Sequence, residues 1–370
     1  MGDRVWTEVA SLRRVDAVAS VESSFTSRRV PMNLSPFHPA SRGDPGTTTY
    51  AALDLGTNNC RLLMARATGG HGFRVVDAFS RIVRLGEGLA ATGRLSEAAM
   101  TRTIEALRIC AERVAGRRVA AGRYVATEAC RRADNCAEFL ARVRSATGIA
   151  MEIISSDEEV RLVVNGCAPL LDRSKPRALV FDIGGGSTEL AWVAVPPDPA
   201  AAPVIDGSIS IPQGVVTCAD RYGGRELSAA TYRAIVEEMR HQLVAFEERF
   251  AISQHIRAGE VQMLGSSGTV TILSALYLNL PRYSRARVDG TALDFATIAR
   301  VTRQLLAMAY GERAAHPCIG RDRADLVLAG CAILEAICSL WPIGRLAVAD
   351  RGIREGILMS LVGTNGSRVA

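Results

Sequence analysis

Two stretches of the chain repeat one arrangement of residues able to handle phosphate. In Tyr50-Ala-Ala-Leu-Asp54-Leu-Gly56-Thr57-Asn58-Asn59-Cys-Arg61-Leu, an apolar run ends on an acid and enters a glycine turn rich in hydroxyl and amide groups. Ala178-Leu-Val-Phe-Asp182-Ile-Gly184-Gly185-Gly186-Ser187-Thr188-Glu189-Leu follows the same order at a constant offset. Glycine at such turns lets backbone N–H groups approach an anion with no Cβ in the way. Thr57, Asn58 and Asn59 in one copy, and Gly184, Gly185, Gly186, Ser187 and Thr188 in the other, are therefore read as a phosphate cradle. Arg61 is placed to take phosphate oxygens bidentately, or else to pair on a strand surface. Asp182 and Glu189 are read as hard oxygen ligands suited to Mg²⁺, with Mn²⁺ as a substitute. Asp54 is open between metal contact and bracing its own turn.

A third segment, Leu264-Gly265-Ser266-Ser267-Gly268-Thr269, leaves an apolar strand and starts a helix. Gly265, Ser267, Gly268 and Thr269 would then form an anion or nucleotide nest at a helix start. It is not a G-x-G-x-x-G fingerprint, and neither is Gly184 to Glu189. Lys175 is the single lysine among 44 basic residues and follows no glycine loop, which excludes a Walker A site. The five histidines form no His-Glu-x-x-His and no His-Asp pair. Phosphate must therefore be met by arginine, backbone N–H groups and a metal ion.

The elements that position these residues follow from hydrophobic period. The two glycine segments read as hairpins, not strand-to-helix turns. Further strands are expected over Phe73 to Ala78, Val119 to Thr127 and Ile149 to Ile154. Helices are expected from Ser96 to Gly116 (apolar side Leu95, Met100, Ile104 and Leu107), from Cys136 to Thr147 and from Glu158 to Leu170. The repeat implies two similar α/β lobes, each offering a hairpin to the cleft between them. Residues 1–48 are Ser/Pro/Arg-rich without period and are expected to be a disordered extension.

Net charge is +6, but aromatics are only 5% and not interleaved with arginine, so no nucleic-acid partner is expected. The nine cysteines include no C-x-x-C pair and read as reduced thiols. The acidic N-terminus lacks an export signal, and Leu326 to Ile343, interrupted by Glu335, reads as a buried helix. A cytoplasmic protein without membrane partner is the expectation.

Together the motifs AALDLGTNNCRLL, RLGEGLAATGRLS, ATEACRRADN, DEEVRL, VFDIGGGSTEL, SIPQGVV, LGSSGTVT, RADLVLAG and ADRGIREGIL resemble the exopolyphosphatase / guanosine pentaphosphate phosphatase family, a branch of the actin-like ATPase superfamily. The likeness runs from Tyr50 to about Val362. It implies two ribonuclease-H-like lobes, 49–157 plus 352–363 and 158–351, in the short form lacking a further C-terminal domain. It also implies a homodimer, and Mg²⁺-dependent hydrolysis of a terminal phosphoanhydride of inorganic polyphosphate or of guanosine pentaphosphate (pppGpp).

Glu159, by residue type a helix-start acid, matches the family's catalytic glutamate and is thereby the candidate base. Glu158 beside it would point elsewhere. Arg84 and Arg131 fall in family motifs as weaker phosphate ligands, and Arg323, Asp325, Arg354 and Glu355 are expected to tie the lobes together. Many members read Ala-Thr-Ser-Ala-Leu-Arg where this chain has Glu128, an added negative charge that counts against substrate contact there. A nucleotide-binding switch is an alternative on the same fold, and a sugar or acetate kinase runs against the motifs.

Overall fold

The computed structural model describes residues 48–68 and 72–366; the extension expected to be disordered lies, apart from Thr48, outside them. The first sheet holds β1 (Thr49–Leu55), β2 (Asn59–Ala67), β3 (Phe73–Ile82), β4 (Val119–Ala126) and β5 (Glu152–Ile153), in the order β3-β2-β1-β4-β5. The second holds β6 (Arg177–Ile183), β7 (Thr188–Ala194), β8 (Val204–Ile211), β9 (Val261–Ser267), β10 (Ala292–Asp294) and β11 (Arg345–Ala349), in the order β10-β11-β9-β6-β7-β8. In each sheet the first strand pairs antiparallel with the second and parallel with the fourth. The sequence repeat is thus a structural repeat: β6 to β9 and β11 retrace the ribonuclease-H-like order of β1 to β5, with β10 added at an edge. The α/β class and the two facing lobes expected from sequence are those found.

Two helices occupy the space between the sheets. One links the lobes, Ser156–Cys167, and the other, Ile353–Gly366, returns at the end of the chain. The linking helix starts because Ser155 accepts the Glu158 N–H at 3.2 Å, while Asp157, Glu158 and Glu159 occupy its positive first turn. Its Val160, Val163 and Val164 join Ile353, Ile357 and Leu358 of the returning helix in one apolar cluster. That cluster also takes Tyr50, Ala52 and Leu63 from the first sheet and Val180 and Ala191 from the second, so the lobes share part of their core. Each lobe keeps a further core on its outer face. Leu95, Met100, Ile104 and Leu107 are buried in that of the first lobe, as the helical period requires.

The two central helices cross at backbone contact. A Cβ on Gly166 would stand 2.1 Å from the Gly352 carbonyl oxygen, and one on Gly356 would stand 2.1 Å from that of Leu162. Across the lobes Arg84 donates to Asp325 at 2.8 Å and to the Asp322 carbonyl at 3.2 Å, and the Gly88 N–H donates to Asp220 at 2.9 Å.

The strand expected over Ile149 to Ile154 shrinks to two residues, since an edge position offers β5 only Val125 and Ala126 as partners. Val327–Leu340 is the buried helix expected there, and no helix among the described residues is long and apolar enough to cross a membrane. All nine cysteines are free and buried.

Replacing Gly356 by valine forces side-chain carbon into backbone atoms that cannot yield as a flexible side chain would. Overpacking of this kind is expected to cost about 2 kcal/mol or more in urea unfolding. A change within about 0.5 kcal/mol, the range of an ordinary surface substitution, would show that the helices can move apart freely.

Candidate active site

Both hairpin turns are held from behind. In the first, the Asn58 carbonyl accepts the N–H groups of Val83 and Arg84 at 2.9 and 3.0 Å, and the Thr57 carbonyl accepts that of Gly86 at 3.0 Å. In the second, the Gly184 carbonyl accepts the Val215 N–H at 3.0 Å and the Gly185 carbonyl that of Val216 at 2.8 Å. The two turns press together. A Cβ on Gly185 would lie 3.0 Å from Asn58, and one on Gly186 would lie 2.5 Å from the Thr57 hydroxyl. Glycine is required here by close approach, not by a left-handed conformation.

Between the turns lies a cavity of about 110 Å³. The structure brings Asp54, Thr57, Asn58, Asn59, Arg61, Glu159, Asp182, Gly184, Gly185, Gly186, Ser187, Ser267, Gly268 and Thr269 to its wall. Asp54 Oδ1, Thr57 Oγ1, Asn58 Oδ1 and Asn59 Oδ1 are buried there without a hydrogen-bond partner. Four such atoms at one hairpin cost stability unless a ligand, ion or water satisfies them. At the third segment Ser267 caps its helix by accepting the Val270 N–H at 3.1 Å, which sets the helix start against the cavity.

Other expected residues stand back from the wall. Thr188 donates to the Gln213 carbonyl at 2.7 Å, Gly265 makes room for the Phe181 ring, and Arg84 is committed to its clasp on Asp325. Glu189 is buried behind the cavity, where it accepts the Ser210 hydroxyl at 2.9 Å. Arg131 donates to Glu159 at 2.8 Å and to Glu128 at 2.9 Å.

Glu158 and Glu159 part as helical geometry demands. Glu158 pairs outward with Arg123 and Arg161, whereas Glu159 is 6% exposed and faces the cavity. Sequence reasoning missed Gly56 and Thr127 in the lining, and it assigned Arg323 to tying the lobes, although Arg323 lines the cavity. Its place in the turn just before a strongly apolar helix was the available signal. Asp325 and Glu355 do act as ties: Asp325 holds Arg84, and Glu355 accepts from Arg285 at 2.6 Å and from the Gly352 N–H at 3.0 Å. Glu128 also lines the cavity.

The carboxylates interact strongly. Asp182 and Glu189 are cross-strand partners beside the second turn. Burial, with Glu159 nearby, pushes the Asp182 carboxyl up to about 7, against the pull of Arg61. Burial likewise pushes Glu189 up to about 7 while Ser187 and Ser210 hold it down. Burial and Glu189 raise Glu159 well above the usual carboxylate range, with Arg131 opposing. Burial also raises Asp54, against Arg61 and Arg354. Among the described residues no three His, Cys, Asp or Glu side chains stand close enough to grip a metal ion together. The unpartnered Asp54 oxygen and the mutually raised acids nevertheless fit a hard cation bound partly through water.

The fold is thus a repeated two-lobe α/β architecture whose paired glycine turns and buried glutamate face one cavity. The chain belongs to the Ppx/GppA phosphatase family, whose model matches residues 63–365. A guanosine-5'-triphosphate,3'-diphosphate pyrophosphatase of Aeromonas salmonicida is 30% identical over 317 residues, 85% of this chain, and the chain spans 60% of that relative's length. The solved Ppx/GppA family member of Aquifex aeolicus is 27% identical, with a TM-score of 0.69 over 86% of this chain and 98% of its own. An exopolyphosphatase of Cytophaga hutchinsonii, 22% identical with a TM-score of 0.76 over 86% of this chain and 98% of its own, shares the fold.

The raised acids carry a pH signature. Below their ordinary values of 3.8 and 4.5, Asp182 and Glu189 are protonated whether the chain is folded or not. As pH rises toward about 7 the unfolded chain ionises first, so stability falls across that window. Melting temperature in chelator should therefore drop between roughly pH 4 and 7, Mg²⁺ should raise it most at the alkaline end, and Asp182→Asn with Glu189→Gln should flatten the curve. A melting temperature indifferent to both pH and Mg²⁺ would contradict this electrostatic picture.

Proposed function

We propose that the chain hydrolyses the terminal phosphoanhydride of inorganic polyphosphate. The observation that carries the reading is the convergence of buried, unpartnered turn groups, two arginines and one buried glutamate on a single cavity. In this account the turn amides with Thr57, Asn58 and Asn59 hold the terminal phosphoryl group, and Arg61 and Arg323 face its equatorial oxygens. Glu159, its carboxylate held by Arg131, orients a water in line with the bond to be broken and accepts its proton as the new P–O bond forms. The bridging oxygen leaves with the shortened chain. Its raised proton affinity makes the ionised Glu159 a stronger proton acceptor. Asp54 and Asp182 on the cavity wall are the residues that would hold Mg²⁺, or Mn²⁺, in part through water and with Glu189 behind them; its charge when bound would offset that of the phosphate oxygens.

A second reading, removal of the 5'-phosphate from pppGpp, is favoured by the name of the Aeromonas salmonicida relative. A homodimer in the cytoplasm belongs to the same proposal.

Phosphate release from long polyphosphate, tripolyphosphate, pppGpp and ATP, measured side by side with Mg²⁺, tests it. Glu159→Gln should lose about a thousandfold in rate, in keeping with removal of a general base. Release from pppGpp alone would select the second reading. Undiminished release by Glu159→Gln would refute the assignment of the base.

A further inference from the structure

Glu128 adds a fourth carboxylate to a cavity wall that already holds Asp54, Glu159 and Asp182, and its contacts explain how the charge is used. It opens the short helix Glu128–Arg132 directly after β4, and its side chain is 13% exposed. Its Oε2 accepts from Arg131 twice, from Nε at 3.2 Å and from Nη2 at 2.9 Å. The remaining nitrogen, Nη1, donates to Glu159 Oε2 at 2.8 Å and to the Ile154 carbonyl at 3.0 Å. Every nitrogen of the guanidinium is thus engaged, one edge on Glu128 and the other on Glu159. Glu128 itself is confined by the second turn, since a Cβ on Gly186 would lie 2.9 Å from its Cγ.

A guanidinium with a free edge beside bound phosphates would take their oxygens in a bidentate fork, the strongest pairing open to it. It would then turn away from Glu159. We infer that Glu128 is a positioning residue, which locks Arg131 onto Glu159 and withholds that guanidinium from the phosphates. The inference rests on the reading of Glu159 as the base. It also accounts for Arg131 standing outside the cavity wall although it neighbours a residue on it.

Pyrophosphate binding by calorimetry and steady-state turnover of polyphosphate with Mg²⁺ test it, on Glu128→Gln, Arg131→Gln and the double variant. Freeing Arg131 should tighten pyrophosphate binding about tenfold and lower kcat about tenfold, the scale of one charge-assisted hydrogen bond. In the Arg131→Gln background, Glu128→Gln should leave kcat unchanged and should tighten pyrophosphate binding by much less than tenfold, through the lost wall charge alone. Glu128→Ser, a smaller side chain with no carboxylate, should repeat the result if the glutamine variant is poorly folded. Unchanged or weaker pyrophosphate binding, or effects of the same size in the absence of the arginine, would overturn the inference. Glu159→Gln run alongside separates the two readings. Wild-type turnover there removes Glu159 as the base, while pyrophosphate binding still reports whether Glu128 restrains Arg131.

Discussion

Everything in the cleft depends on how closely two helices can cross. Gly166 and Gly356 bring the linking and returning helices into backbone contact, and no other residue fits at either position without displacing the partner helix. Because each helix shares a core with both sheets, their separation fixes the separation of the lobes. That in turn decides whether the glycine turns meet. The turns do meet, with Gly185 and Gly186 against Thr57 and Asn58, and the cavity is the space left around that contact. A wider crossing would leave two hairpins with no shared pocket.

The electrostatics of the site follow from this compression. Asp54, Glu159, Asp182 and Glu189 are each raised first by burial, and repulsion among them opposes their full ionisation. Arginines oppose them unequally. Arg61 serves Asp54 and Asp182, Arg131 serves Glu159, and Arg323 is itself held below its ordinary proton affinity by burial and by Arg61. Anionic oxygens would relieve the crowded arginines, and a hard cation would relieve the acids. The two demands together are in keeping with the metal-complexed phosphate proposed for the site.

Local chemistry made the hairpins legible in the sequence. A strand, an acid, a glycine turn and a second strand recur, and recurrence implied facing lobes before any contact was known. The capped helix at Ser96 and the buried helix over Val327–Leu340 were legible for the same reason, since period and cap are local. What stayed hidden is tertiary. Nothing near Gly166 or Gly356 in sequence announces that a helix backbone must pass within contact distance. Arg323 and Arg131 are both arginines in family motifs, yet one lines the cavity and the other is consumed by two glutamates. Thr188 and Gly265 belong to the right segments but serve neighbouring backbone and the Phe181 ring.

The central claim is that water attacks the outermost phosphorus, the one held between the turns. Hydrolysis of tripolyphosphate in ¹⁸O-enriched water, followed by mass analysis of both products, addresses it directly. The account predicts one ¹⁸O in each orthophosphate released and none in the pyrophosphate left behind. Label in the pyrophosphate would place the attack on the inner phosphorus and contradict the geometry derived from the cavity.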